Sequence, residues 1–299
     1  MPLVPFRQLM EEAEAGGYAV GYFESWNLES LLAVADAATA VRSPVLLGFS
    51  GIYLPSTEGR VKERLLPYAA LGTEVCRQLP VPACLVFNES PYFDWVQQAI
   101  DLRFGLVMFS DENLRPQDQQ QSVRQIVEAA HRASVAVEGE IESLPGLSST
   151  LSDVPEDLRL TDPEKARAFV ELTGVDALAV NIGQAHVHGR SEVRLRLSRL
   201  AELRREVPVP LVLHGGTSIY RPDLLEAIHL GVRKINIGSV LKSSYFEAVR
   251  NACQKVDSDY NPYDVVGSGL DKDVLAAGRA ALKKTVEDLM LLSGSAGKA

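Results

Sequence analysis

The chain has 299 residues, 46% hydrophobic and 23% charged, an ordinary composition for a globular protein with a large core. Its 30 basic and 39 acidic side chains give a net charge of −9, which argues against general binding to nucleic acid or anionic membranes. The three cysteines lie far apart and form neither a disulfide framework nor a cysteine-rich metal motif. The sequence shows no signal peptide and no apolar run long enough to span a membrane, so we expect a cytoplasmic protein.

Short apolar runs alternate with longer segments of helical periodicity. A helix is expected over about residues 5–15, before the first strand. The candidate strands are "YAVGYF" (18–23), "PVLLGFS" (44–50), "ACLVFN" (83–88), "LVMFS" (106–110), "AVEGEI" (136–141), "ALAVNI" (177–182), "PLVLHG" (210–215) and "KINIGS" (234–239). Asn27 and Asp162 are predicted N-caps of two intervening helices, and a polar stretch and a helical tail over about 272–292 end the chain.

Eight strands, each followed by a helix, predict a (β/α)8 TIM barrel that occupies residues 1–299 as a single domain. Most of the strands are apolar throughout, as parallel strands covered by helices are. A doubly wound open sheet is the alternative. However, no G-x-G-x-x-G motif follows the first strand, and the number of units favours a closed barrel.

Polar and ionisable residues gather where the predicted strands end. In this fold the chemistry takes place at the carboxyl ends of the strands and in the loops after them. The residues at these positions are Glu24, Ser50, Asn88, Glu89, Ser110, Asp111, Glu138, Glu140, His186, His214 and Asn236 to Ser239. The sequence therefore places a candidate site at one rim of the barrel.

Two of the five histidines end neighbouring strands. His186 follows the sixth strand and His214 follows the seventh, so their imidazoles can converge as ligands of a divalent metal, most simply zinc. The alternative is a pair of hydrogen-bonded histidines in a polar rim. His188 falls in the following loop, and His131 and His229 fall in helical segments, where a structural role is expected.

Glycines and hydroxyl residues follow the last two strands, in "HGGTS" (214–218) and "NIGS" (236–239). Glycine lets backbone N–H groups face a ligand, and loops after the seventh and eighth strands commonly bind phosphate in this fold. A turn without a ligand is the alternative for the Gly-Gly pair. The position of these segments favours a phosphate site.

These motifs resemble those of the class II, zinc-dependent ketose-bisphosphate aldolases, including fructose- and tagatose-bisphosphate aldolases. The resemblance extends over nearly the whole chain and includes "VAVEGEI", "VNIGQAH", "PLVLHGGTSI" and "LGVRKINIGSVL". It implies that His186 and His214 bind Zn²⁺ or another divalent metal. It also implies a sugar-phosphate substrate and a homo-oligomer, either a dimer or a tetramer. The phosphate-binding residues that it implies are Ser50, Gly215, Thr217, Asn236 and Ser239.

The chain departs from the family after the third strand. The family motif H-x-D-H-G, with its proton-transfer aspartate and a third zinc ligand, aligns with "VFNES" (86–90). Asn88 therefore stands in place of the aspartate, and an amide cannot act as a base at neutral pH. Glu89 stands in place of the ligand histidine and can still coordinate a metal.

Three carboxylates are candidates for the missing base. Glu138 and Glu140 end the fifth strand, and Glu24 replaces an asparagine of the family motif F-N-x-N-N-L-E. A solvated rim carboxylate is the alternative for Glu24. With Asn88, these three residues form the predicted catalytic set, and His186, His214 and Glu89 form the predicted metal-binding set.

The expected function is that of a class II aldolase-like, metal-dependent lyase that acts on a phosphorylated or acidic ketose-type sugar through an enediolate. Asn88 and Glu89 argue against an ordinary fructose-bisphosphate aldolase. One alternative is a sugar-phosphate epimerase or isomerase on the same scaffold. The other is a non-catalytic sugar-phosphate-binding homologue, which the amide of Asn88 favours.

Overall fold

The computed structural model describes residues 3–55, 63–141, 160–184 and 192–299. Its strands are β1 Val20–Ser25, β2 Val45–Ser50, β3 Ala83–Ser90, β4 Leu106–Phe109, β5 Ala136–Glu140, β6 Ala177–Ala179, β7 Leu211–Leu213 and β8 Val232–Ile237. They pair in parallel in chain order, and β8 returns to pair with β1, so the sheet closes. The predicted (β/α)8 barrel is confirmed, and the alternative of an open sheet was wrong.

Helices alternate with the strands and cover the outside of the barrel. They are α1 Phe6–Gly16, α2 Leu28–Val41, α3 Leu65–Gln78, α4 Phe93–Asp101, α5 Pro116–Arg132, α6 Pro163–Thr173, α7 Leu197–Glu206, α8 Arg221–His229, α9 Ser239–Cys253, α10 Pro262–Val265 and α11 Val274–Leu292. Both predicted N-caps are confirmed. The side chain of Asn27 accepts a hydrogen bond from the N–H of Ser30, and that of Asp162 accepts from Glu164 and Lys165. Among the described helices, none has the length and apolar character needed to cross a bilayer.

Two apolar layers surround the sheet. The larger layer lies between the strands and the helices and contains Phe49, Phe87 and Phe104. The smaller one fills the barrel and includes Leu46, Val86 and Val212 from the strands. Residues of α1 join the smaller layer and lie at the amino ends of the strands. Cavity space for a ligand is therefore left at the opposite end, where the strands carry their polar residues.

The sixth strand is shorter than the sequence predicts, ending at Ala179 rather than at residue 182. Side chains take over the backbone hydrogen bonds after it. The N–H of Asn181 donates to Oγ1 of Thr161, and the amide of Gln184 bonds to both Val180 and Ile182. Because these groups no longer bond to a neighbouring strand, the chain leaves the sheet early.

Candidate active site at the carboxyl ends of the strands

A cavity of about 630 Å³ opens at the carboxyl ends of the strands. Nine of the twelve predicted site residues line it: Glu24, Ser50, Asn88, Glu89, His214, Gly215, Thr217, Asn236 and Ser239. Glu138 and Glu140 lie buried on β5 beside it. His186 lies outside the described residues, as does His188. The predicted residues that the structure describes therefore belong to one site.

A local irregularity in β3 brings two successive side chains to this site. Successive residues of a regular strand point to opposite faces. However, the pairing of β3 with β4 shifts register between Phe87 and Ser90, and Glu89 has a φ of 43°. This left-handed conformation is uncommon for a residue other than glycine. It allows the amide of Asn88 to donate to Oε2 of Glu89 over 3.2 Å while both side chains line the cavity.

His214, directly after β7, lies between two carboxylates. Its Nδ1 is 3.1 Å from Oε1 of Glu89, and its Nε2 is 2.8 Å from Oε1 of Glu138. Glu138 is fully buried and does not line the cavity, whereas Glu89 does. Glu138 thus fixes the orientation of the ring from behind, and Nδ1 is directed towards Glu89 and the cavity.

These side chains form part of a closed ring of six polar groups. Nζ of Lys234 lies 2.7 Å from Oε2 of Glu138 and also donates to Oδ1 of Asn236. The amide nitrogen of Asn236 donates to Oδ1 of Asn88 over 3.2 Å, and Asn88 donates to Glu89, which returns the ring to His214. A polar ring of this kind fixes each member's orientation, because moving one group leaves its neighbours without partners in a buried environment.

The ring changes the protonation of its members. Burial alone would lower the pKa of His214, but the carboxylates of Glu89 and Glu138 raise it to about 10. Burial opposes ionisation of Glu138, yet Lys234 and His214 lower its pKa overall. Burial lowers the pKa of Lys234 despite the neighbouring Glu138. In the absence of a metal, His214 is therefore an imidazolium that donates from both ring nitrogens.

Glu140 completes a group of metal-binding atoms. One oxygen of Glu140, one oxygen of Glu89 and one ring nitrogen of His214 lie within 4.8 Å of one another. The hydroxyl of Ser110 donates to Glu140, and burial, with the nearby charge of Glu89, raises the pKa of Glu140 to about 7. Carboxylate oxygen and imidazole nitrogen are both zinc ligands, and a dication offsets the negative charge gathered here. The donor set therefore fits a divalent metal.

Glu24 lies on the side of the cavity next to α9. Its Oε1 is 2.6 Å from Nζ of Lys242, in the first turn of α9. Burial raises the pKa of Glu24, and Lys242 opposes that shift. Since the carboxylate is paired and largely buried, the structure does not support the alternative that it is a solvated rim group.

The predicted phosphate-binding residues lie near this ion pair. Gly215 adopts a φ of 66° and leads into a short 3₁₀ turn, Gly216–Ser218, that carries Thr217. Ser239 begins α9, and Ser50 ends β2. Hydroxyl and backbone donors from three loops thus face the same cavity.

Three residues of the site were missed by the sequence analysis: Tyr22, Lys234 and Lys242. Tyr22 is one of the residues that line the cavity, and its buried hydroxyl has no hydrogen-bond partner among the described residues. Tyr22 and Lys234 lie two residues before Glu24 and Asn236, so strand alternation could have placed them on the inner face. Lys242 follows Ser239 by one helical turn and could have been found from that spacing.

The other two described histidines lie away from the cavity. Nε2 of His131, on α5, is 2.9 Å from Oδ2 of Asp176. His229 lies exposed in the last turn of α8. Neither histidine is among the residues that line the cavity.

Comparison with known proteins shows the family and the fold of the chain. The YdjI aldolase from Escherichia coli K12 has 25% sequence identity, with a TM-score of 0.80 over 99% of both chains. A fructose-bisphosphate aldolase from Campylobacter jejuni, at 20% identity, shares the fold with a TM-score of 0.80 over 99% of this chain and 97% of that one. The family model "Fructose-bisphosphate aldolase class-II" matches residues 4–298. The resemblance seen in the sequence is confirmed, and the chain belongs to the class-II fructose-bisphosphate aldolase family.

Proposed function

We propose that the chain is a metal-dependent lyase of the class II aldolase type that cleaves a phosphorylated or acidic ketose-type sugar through an enediolate. The arrangement of His214 is the observation that carries this proposal. Glu138 holds one ring nitrogen from behind, and the other faces Glu89 and an open cavity. A carboxylate behind a histidine is the usual support of a metal ligand.

The proposed ligands of Zn²⁺ or another divalent ion are His214, Glu89 and His186, the last of which lies outside the described residues. Glu140 lies close to Glu89 and His214, but in this proposal it does not bind the ion and stays available for proton transfer. When bound, the ion would polarise the substrate carbonyl and stabilise the negative charge of the enediolate. The additional carboxylate charge, relative to a site of neutral histidines, would make the ion a weaker Lewis acid.

Proton transfer is assigned to Glu140. Its pKa of about 7 lets it give and take a proton near neutral pH. Both oxygens of Glu138 already face His214 and Lys234, and Glu24 is paired with Lys242. Asn88 has no proton-transfer role in this proposal, since its amide donates to Glu89 and accepts from Asn236. It orients Glu89 instead.

The substrate's anionic group is assigned to the rim formed by Ser50, Gly215, Thr217 and Ser239. These residues line the same cavity as Glu89 and His214, so one ketose phosphate can reach both parts of the site. A cytoplasmic homo-oligomer, either a dimer or a tetramer, is part of the same proposal and is supported by family membership.

Metal analysis with an activity assay tests this function. We expect about one divalent ion per chain, as one three-ligand site implies. The His214→Ala variant should lose it, and the control His229→Ala, on the exposed end of α8, should retain it. Chelation should abolish aldehyde release from a panel of ketose phosphates, and returning the metal should restore it.

Three results would redirect the proposal. Equal metal content in wild type and His214→Ala would remove this residue as a ligand and contradict the proposed site. Metal-dependent interconversion of ketose phosphates without aldehyde release would establish the epimerase or isomerase alternative. Binding without either reaction would indicate a non-catalytic homologue.

A further inference from the structure

At one side of the cavity lies an ion pair whose two side chains differ in their exposure to solvent. The side chain of Lys242 is 39% exposed, whereas that of its partner Glu24 is only 13% exposed. The rings of Tyr53 and Trp26 lie 4.1 Å and 5.8 Å from Nζ of Lys242 and hold the ammonium group by cation–π contacts. A ligand that enters from solvent therefore meets the cation first, and that cation is already bound to a carboxylate.

Gly238 provides the space for this carboxylate. A Cβ atom at position 238 would lie 2.5 Å from Oε2 of Glu24, so any larger residue would displace the side chain. Gly238 is also the N-cap of α9 and gives that helix no side-chain cap. Glu24 thus lies against the amino end of α9, where free N–H groups and the helix dipole attract an anion.

The charges around the cavity make the ion pair of Glu24 and Lys242 important for ligand binding. Among the described residues that line the cavity, Lys242 is the only lysine or arginine, and it is accompanied by Glu24 and Glu89. The hydroxyl groups of the rim are neutral. On the α9 side of the cavity, a phosphate placed beside these hydroxyls would therefore have Lys242 as its cationic partner, and Glu24 already pairs with that lysine.

We propose that Glu24 is a specificity-determining residue, an internal anion that competes with the anionic group of the substrate for Lys242 and for the amino end of α9. The inference rests on the proposed function in placing the substrate's anion at this rim. Binding then exchanges one ion pair for another, so a bare anion gains little. A substrate binds well only when its other groups also contact the site.

Calorimetric titration of the metal-loaded protein with inorganic phosphate tests the competition. The Glu24→Gln variant keeps the size of the side chain but removes its charge, and it should bind phosphate about tenfold more tightly than wild type. Lys242→Gln should bind it more weakly. In the Lys242→Gln background the gain from Glu24→Gln should shrink, since no cation remains to be released.

Matched controls separate competition from a change in net charge. Glu226→Gln removes an exposed carboxylate on α8 and should leave phosphate affinity unchanged. Lys255→Gln, just beyond the far end of α9, should do the same. Gly238→Ala keeps every charge but pushes the carboxylate aside, so it should also tighten phosphate binding. It is a second variant if Glu24→Gln does not fold.

Phosphate affinity that is unchanged or weaker in Glu24→Gln would overturn the inference, because Glu24 would then merely hold Lys242 in place. Absence of phosphate binding in every variant would overturn it as well. These results are distinct from failure of the proposed function. A protein that shows the tightening but releases no aldehyde from any ketose phosphate would contradict the lyase and leave the competition intact.

Discussion

His214 is held by carboxylates at both ring nitrogens, and this arrangement has a consequence for metal binding. The 3.1 Å contact with Glu89 and the 2.8 Å contact with Glu138 favour the doubly protonated ring. A metal can bind only the nitrogen that has lost its proton. Metal and proton therefore compete for Nδ1, while Glu138 keeps the proton on Nε2.

We predict that metal affinity rises by about tenfold per pH unit between about pH 7.5 and 9, because one proton leaves His214 on binding. The affinity rises rather than falls with pH because the pKa of His214 is raised to about 10. The metal-free ring is therefore charged throughout this range and must lose a proton when the metal binds. Competition against a chelator of known affinity measures the slope. A histidine with an ordinary pKa near 6.5 would already be neutral, so an affinity independent of pH would contradict the geometry.

A control at Glu89 separates the two carboxylates. Replacement by glutamine removes the carboxylate whose charge does most to raise the pKa of His214 against the effect of burial, and it leaves Glu138 in place. The slope of metal affinity against pH should become shallower in Glu89→Gln, while the absolute affinity should fall because one ligand charge is lost.

At the scale of elements, α11 is the last helix of the chain, and it packs against earlier helices of the barrel. It packs against α2 and α9, and Arg279 forms an ion pair with Asp36 of α2 at 2.5 Å. Leu282, Val286 and Met290 recur at spacings of four on its inner face and are fully buried. The helix is thus held mainly by apolar contact.

The Leu282→Ala variant tests this packing. We expect the free energy of unfolding to fall by about 2–5 kcal/mol, because the substitution leaves a cavity in a fully buried position. Leu291 lies on the same helix with 60% of its surface exposed, so Leu291→Ala is the matched control and should change stability by less than about 0.5 kcal/mol. Denaturant titration followed by circular dichroism measures both. Equal losses in the two variants would show that α11 does not pack as described.

The strands and caps show how far local sequence patterns predict elements. Apolar runs located all eight strands, and capping residues correctly identified the starts of α2 and α6. The ends were less predictable. The segment after Ala179 is as apolar as a strand, but side chains of Thr161 and Gln184 bond to its backbone. Thr161 lies twenty residues before its partner Asn181, beyond the reach of a local pattern.

At the scale of the whole molecule, barrel closure predicted which residues share a rim but not how they bond. Parallel strands end at the same face, so reading only strand ends was sufficient to bring Glu24, Asn88 and His214 together. The ring through Lys234 depends on register between strands. The bulge at Glu89 contradicts the alternation that a strand normally shows. Neither feature can be read from spacing along the sequence.

The ring also explains how Asn88 and Glu89 fit each other. The amide of Asn88 donates to the carboxylate of Glu89 at 3.2 Å. An aspartate at position 88 would instead face that carboxylate with a second negative charge. Asn88→Asp alone should therefore fail to restore ordinary aldolase activity. Adding Glu89→His removes the repulsion, and histidine tolerates the left-handed backbone at this position better than most residues.

Triose-phosphate release from fructose 1,6-bisphosphate and tagatose 1,6-bisphosphate, measured in a coupled assay, tests the central claim most directly. Asn88 supplies no acid or base at the position where the family's aspartate serves these two sugars. Loss of such a group costs on the order of 100- to 10,000-fold in rate, so wild type should cleave both sugars very slowly or not at all. The Asn88→Asp/Glu89→His variant should recover part of the activity, and Asn88→Asp alone should not. Brisk cleavage by wild type would contradict the account and show that Glu140 or another carboxylate serves these two sugars without an aspartate at position 88.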